Sequence, residues 1–117
     1  MSQPQTLLDE QTAPIPNEGE AIANIVIREY GHIEGLTGLF EIRKQQGIER
    51  YGVALQPFNG RDAQIDALQE AVDLTVYLRQ LAEERRLSGQ DPTEAMAAYH
   101  QAVFMVRRVL KLGAPDQ

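Results

Sequence analysis

RDAQIDALQEAVDLTVYLRQL, residues 61–81, decides how the rest of the chain is read. On a helical wheel of about 100° per residue, Asp62, Asp66, Glu70, Asp73 and Tyr77 fall in one narrow stripe. Ile65, Val72 and Val76 flank it on one side, and Ala67, Leu74, Leu78 and Leu81 on the other. That leaves the arc around Gln64, Thr75 and Arg79 as the face expected to meet water. A carboxylate row set between two apolar strips is not an ordinary wet face. Buried carboxylates are costly unless paired with cations or bound to a metal. The pattern therefore predicts a long helix and makes a metal-dependent site the leading expectation.

Working outward, Asn59 is placed to cap this helix, with Asp62 adding an acid near its positive end. The helix is expected to run to about Arg86 and stop at Ser88-Gly89. Asp91-Pro92-Thr93-Glu94 reads as a new start, with an Asp cap and Pro at the first helical position. The last helix should reach Leu112 and end at Gly113, with Arg107, Arg108 and Lys111 near its negative end. Met96, Tyr99, Val103, Val106 and Leu110 follow helical spacing as core or interface. Upstream, residues 36–50 predict a helix packing Leu36, Leu39, Phe40 and Ile48, which tolerates Gly47 at a cost of about 1 kcal/mol. Residues 20–30 fit a short helix, although the Ile25-Val26-Ile27 run also permits a strand. Residues 1–19, with Pro4, Pro14, Pro16 and Gly19, read as a mobile arm whose Leu7, Leu8 and Ile15 can dock on a neighbour. Residues 114–117 form a short tail. The fold expected is all-α: one domain over residues 20–113, three to four helices in a bundle completed by oligomerisation.

Composition narrows the chemistry. A chain of 117 residues supports one core. With no Cys, disulfides, thiolate zinc sites and Cys nucleophiles are excluded; His32 and His100 show no metal-ligand spacing. A net charge of −6 disfavours binding to a nucleic-acid backbone, but not a small anion carried by metal ions. Residues 1–20 lack the basic and apolar regions of a signal peptide, and no apolar run approaches the roughly 20 residues that span a bilayer. The expectation is a cytoplasmic protein without a membrane partner.

Mg²⁺ takes carboxylate oxygens, keeps several waters and often shares its shell with substrate phosphates. Helical residues three or four apart lie about 5–6 Å between Cβ atoms, so Glu70 and Asp73 can address one ion, with Asp66 a turn earlier. Opposing ligands must come from a second helix, as in bundle metal sites. Glu41 is the first choice, then Glu49, then Glu34. The competing structural reading pairs these acids with Arg43, Lys44, Arg50 or Arg61. Arg61, Lys44 and Arg50 are candidates for phosphate contact, and Tyr77 for a base or sugar. Each is also explained as a surface cation or a rim tyrosine. Phe58 can stack on a base or anchor its own loop.

The order ERYG (49–52), ALQPFNGRD (54–62), QEAVDL (69–74) and VYL (76–78) resembles the short, often phage-encoded members of the MazG-like all-α nucleoside triphosphate pyrophosphohydrolases. The likeness covers about residues 36–86, with the ExxD element at Glu70-Ala71-Val72-Asp73. It implies hydrolysis of an NTP or dNTP to the monophosphate and pyrophosphate, with Mg²⁺ (or Mn²⁺) on Glu70, Asp73, Asp66 and Glu41. Glu41 or Glu49 would complete the shell or act as base, Arg61 or Lys44 would meet the phosphates, and the protein would be a homo-oligomer, a dimer or tetramer. The chain departs from the family at two points. The earlier EExxE string is absent, Glu41-Ile42-Arg43-Lys44-Gln45 standing in its region, and position 69 is Gln where Glu is frequent. Two alternatives therefore stand beside hydrolysis: a nucleotide-binding oligomer that does not cleave, and a purely structural helical oligomer.

Overall fold

Residues 7–113 are described, and in this computed structural model they form four α-helices and no strand. They are α1 (Ile22–Tyr30), α2 (Leu36–Tyr51), α3 (Ala63–Leu87) and α4 (Thr93–Leu112). The all-α expectation holds, and Ile25-Val26-Ile27 is helical. The chain divides into two compact units, residues 11–61 with α1 and α2, and residues 62–113 together with 7–10, with α3 and α4. The expectations for residues 1–6 and 114–117 lie outside the described residues.

The α3–α4 unit is an antiparallel hairpin joined by a short turn with Gly89 at positive φ. Its buried hydrophobic residues are Leu68, Ala71 and Ala82 on α3 and Ala95, Ala102 and Val109 on α4. Leu68, Thr75 and Ala82 recur at seven-residue intervals, as do Ala95, Ala102 and Val109. That is the seam pattern of two helices in coiled-coil-like contact, and the alanines let the backbones approach closely. This seam corrects the sequence reading of α3. The arc taken for the wet face is the one turned to α4: Gln64 and Thr75 are half-buried. Gln64 Nε2 donates to the Val109 carbonyl at 3.0 Å, satisfying an end carbonyl of α4. Arg79 lies over the Tyr99 ring, 5.9 Å from its centre.

Helix ends follow elementary capping, with one change of residue. Asp62, not Asn59, caps α3, its Oδ1 accepting from the Gln64 and Ile65 N–H groups at 3.0 and 3.2 Å. Before α4, Asp91 Oδ1 accepts from the Thr93 N–H at 3.0 Å and the Thr93 hydroxyl at 2.6 Å.

In the α1–α2 unit, Gly31 lets the end of α1 meet α2. A Cβ there would collide with the Ile27 carbonyl oxygen and sit 2.8 Å from Thr37 Oγ1. Lys44 Nζ on α2 donates to Asn24 Oδ1 on α1 at 2.8 Å. Leu36, Phe40 and Ile48 are half-buried as their spacing predicts, but Leu39 is exposed. No hydrophobic residue of this unit is fully buried. None of the helices is long and apolar enough to cross a membrane, among the described residues.

Two consequences can be measured. Ala82 is 1% exposed in the seam, so Ala82→Leu should destabilise the fold by about 1–3 kcal/mol through overpacking, read as a lower urea midpoint. An unchanged midpoint would mean that the helices are not in close contact there. Secondly, hydrogen bonds from the Thr93 hydroxyl and then the Thr93 N–H hold the Asp91 carboxyl below its ordinary value of 3.8. A depressed folded value gives stability that is complete above 3.8 and lost as the pH falls below it. Asp91→Ala should therefore be less stable than wild type at neutral pH, with the gap closing in acid; a gap independent of pH would contradict the assignment.

Candidate functional site

Helix α3 displays the acid stripe on the side turned away from α4. Glu70 and Asp73 are exposed, Asp66 is half-buried, and Tyr77 projects into solvent rather than serving as a rim residue of the core. Leu74, Val76 and Leu81, the apolar flanks, are exposed as well. Among the described residues, the Glu70 and Asp73 side chains make no hydrogen bond or ion pair, whereas Asp66 is engaged. At the far end of α3, Arg79 and Arg86 both bind Glu83 and hold its carboxyl below the usual range, Arg86 contributing most.

Glu41 and Glu49 are exposed residues of α2, in the other unit, as is Glu34 just before that helix. The cations offered as phosphate contacts have protein partners. Lys44 holds Asn24. Arg50 stacks on the Tyr51 ring at 5.1 Å. Arg61 Nη1 donates to the Thr12 carbonyl at 2.6 Å. Among the described residues, no three His, Asp or Glu side chains come together closely enough to hold a metal. What α3 offers is narrower: two adjacent carboxylates, three residues apart and without cation partners. That donor set suits Mg²⁺ arriving with phosphate ligands, which needs one or two carboxylates, and does not suit a closed protein cage.

Two further features were not read from the sequence. The first is Gln69. Its side-chain amide donates to the Asp9 carbonyl at 2.8 Å and the Leu7 carbonyl at 3.3 Å, tying residues 7–9 along α3. A carboxylate has no proton to give at neutral pH, so a Glu at this position could not make these two donations.

The second is the 54–61 loop, hydrogen-bonded to residues 12–19, which contain no regular element. Ile15 N–H donates to the Asn59 carbonyl at 2.8 Å. Asn17 Nδ2 donates to the Pro57 and Phe58 carbonyls at 2.9 and 3.2 Å, and Gln56 Nε2 returns a bond to the Gly19 carbonyl at 2.8 Å. Asn59 is 5% exposed, its Oδ1 accepting from the Arg61 N–H at 3.1 Å. Between these anchors Phe58 takes φ 55°, a left-handed conformation that costs a non-glycine residue about 1–2 kcal/mol. Its ring is 98% exposed. Phe58 thus does not anchor its loop; the loop is held by backbone and amide bonds, and the ring stands clear of it. The signal in the sequence was the polar set Asn17, Gln56 and Asn59, which has no helical or strand periodicity.

Set against known proteins, the chain matches no family, curated protein or solved structure.

The tie at Gln69 has a direct test. Gln69→Glu removes both donations and should cost about 1 kcal/mol or more, with faster amide exchange and proteolysis confined to residues 7–10. Unchanged protection of that segment would refute the tie.

Proposed function

We propose that the chain is a Mg²⁺-dependent nucleoside triphosphate pyrophosphohydrolase, releasing pyrophosphate and a nucleoside monophosphate from an NTP or dNTP. The observation that carries this reading is the Glu70–Asp73 pair, exposed and without a cation partner on the outward face of α3. Two like charges one turn apart repel by a few tenths of a kcal/mol. A divalent ion held between them would offset that repulsion and let phosphate oxygens lie near the carboxylates. Glu70 and Asp73 hold the Mg²⁺ in this reading, and Asp66 lies one turn nearer the helix start. Once bound, the ion supplies charge neutralisation at the phosphate oxygens and an acidified water. Tyr77, on the same stripe and exposed, is placed to contact the sugar or base. The MazG-like resemblance of residues 36–86 supports the reaction class.

A homo-oligomer belongs to the same proposal. The hairpin core is made largely of alanine, while Leu74, Val76, Leu81, Phe104 and Met105 remain exposed on its outer surfaces. A second copy covering part of that surface would add the apolar burial that the alanine seam does not provide.

A second reading, nucleotide binding without cleavage, is favoured because no three His, Asp or Glu side chains among the described residues group closely enough to hold a metal. One experiment separates them. Pyrophosphate release is measured across the common NTPs and dNTPs with Mg²⁺ or Mn²⁺, beside Asp73→Asn. Hydrolysis predicts metal-dependent release that falls about a hundredfold or more in the variant, the equivalent of several kcal/mol of lost metal stabilisation. Thermal stabilisation by a nucleotide with no release establishes binding alone. Neither response, in folded protein, removes both readings.

A further inference from the structure

The α3–α4 hairpin carries opposite charge on its two outer edges. Seen down each helix, Glu70 and Asp73 lie across α3 from the seam residues Leu68, Thr75 and Ala82. Arg108 and Lys111 lie across α4 from Ala95, Ala102 and Val109. Arg107 stands beside them, and all three cations are exposed. Among the described residues their side chains make no hydrogen bond or ion pair. The helix dipole favours a cation in the last turn, which accounts for Lys111. It does not account for Phe104 and Met105, exposed in the same shallow concavity as the three cations. The acid edge has a matching composition, with Leu74 and Val76 exposed next to its carboxylates. Both charged edges also lie at one end of the hairpin. Counting along the antiparallel pair from the Gln64–Val109 bond, Arg107 is level with Asp66 and about one turn from Glu70.

We propose that the cationic edge of α4, with Phe104 and Met105, docks on the Glu70–Asp73 edge of α3 in a second copy. That a homo-oligomer exists rests on the reading above; the choice of faces rests on the hairpin alone. A copy set alongside in the same orientation brings α4 against α3 again, antiparallel as within the hairpin. A slide of about one to two turns then joins the charges. Because the two faces lie on opposite edges, the contact is head-to-tail and repeats, closing into a ring or running on as a filament. The net charge of −6 argues against an anionic membrane or nucleic acid as the occupant, since either repels the chain as a whole. A second copy instead supplies carboxylates that lack cations and apolar side chains that lack cover. Glu70 and Asp73 serve both this contact and the proposed metal site, so the contact is measured without Mg²⁺, where the arginines have no competitor.

Sedimentation velocity of the full-length protein tests the pairing by charge reversal. Glu70→Lys with Asp73→Lys, and separately Arg107→Glu with Arg108→Glu, should each weaken self-association about tenfold or more. An equimolar mixture of the two should associate again, because each reversed edge then meets its opposite charge. Circular dichroism checks that both stay helical; Arg107→Gln with Arg108→Gln, which should also weaken association, serves if a reversal unfolds. Association that ignores both reversals, or weakened variants that do not recover on mixing, overturns the docking and leaves the homo-oligomer reading intact. Wild type that is monomeric at every concentration overturns both. Monomeric wild type that instead binds anionic phospholipid vesicles through Arg107 and Arg108 also overturns the docking, giving the face to a lipid surface.

Discussion

Small side chains where α3 meets α4 set the terms for the rest of the hairpin. Ala71, Ala82, Ala95 and Ala102 leave too little bulk to hold the two backbones apart, and Leu68 and Val109 fill the seam where there is room. Close approach makes dense contact. It also buries little apolar area per residue, since alanine has only one methyl to remove from water. The larger apolar residues of both helices are therefore displaced to the flanks, where the single chain leaves many of them exposed. The acid stripe follows from the same constraint. Once the seam claims Leu68, Thr75 and Ala82, the helical period turns Asp73 and Tyr77 outward.

The sequence conveyed the helices well and their orientation poorly. The start and stop residues around α3 and α4 are strong local signals, because Asp62, Asp91, Gly89 and Gly113 act through their own neighbouring backbone groups. Which face of α3 packs is a tertiary property. The wheel showed polar Gln64, Thr75 and Arg79 together and assigned them to water. Two of them have a use in the hairpin instead: Gln64 bonds the end of α4, and Thr75 Oγ1 donates to the Ala71 carbonyl at 2.8 Å; Arg79 lies over Tyr99 and is exposed as the wheel expected. Amphipathic reading fails where the packed face is made of alanine and short polar groups, since neither scores as apolar.

The loop before α3 was illegible for a different reason. Its order comes from side-chain amides bonding carbonyls some forty positions away in sequence, as between Asn17 and Pro57. Pattern methods detect period and composition, and this strap has neither. Composition offered only Pro, Asn and Gly near a terminus, which usually mark a mobile arm and carry no signal for these bonds. What the sequence did offer was Phe58 among turn formers, and it offered two uses for that residue. Exposure removes one of them: a side chain 98% exposed is not holding the loop.

Gln69 ties the structural and functional accounts together. A Glu there would add a further charge beside Asp66, Glu70 and Asp73 on the outward side of α3, strengthening cation binding and deepening the repulsion without one. An amide removes that charge and gains two donations to the 7–9 backbone. In the proposed reading, the cost falls on metal affinity, which must then depend more on phosphate oxygens than on protein oxygens. The fewer carboxylates the protein supplies, the more the ion belongs to the nucleotide rather than to the empty enzyme. Metal alone should then bind this chain weakly and metal with nucleotide much more strongly, because the phosphates complete the shell. That coupling separates a site built from two acids from one built from four.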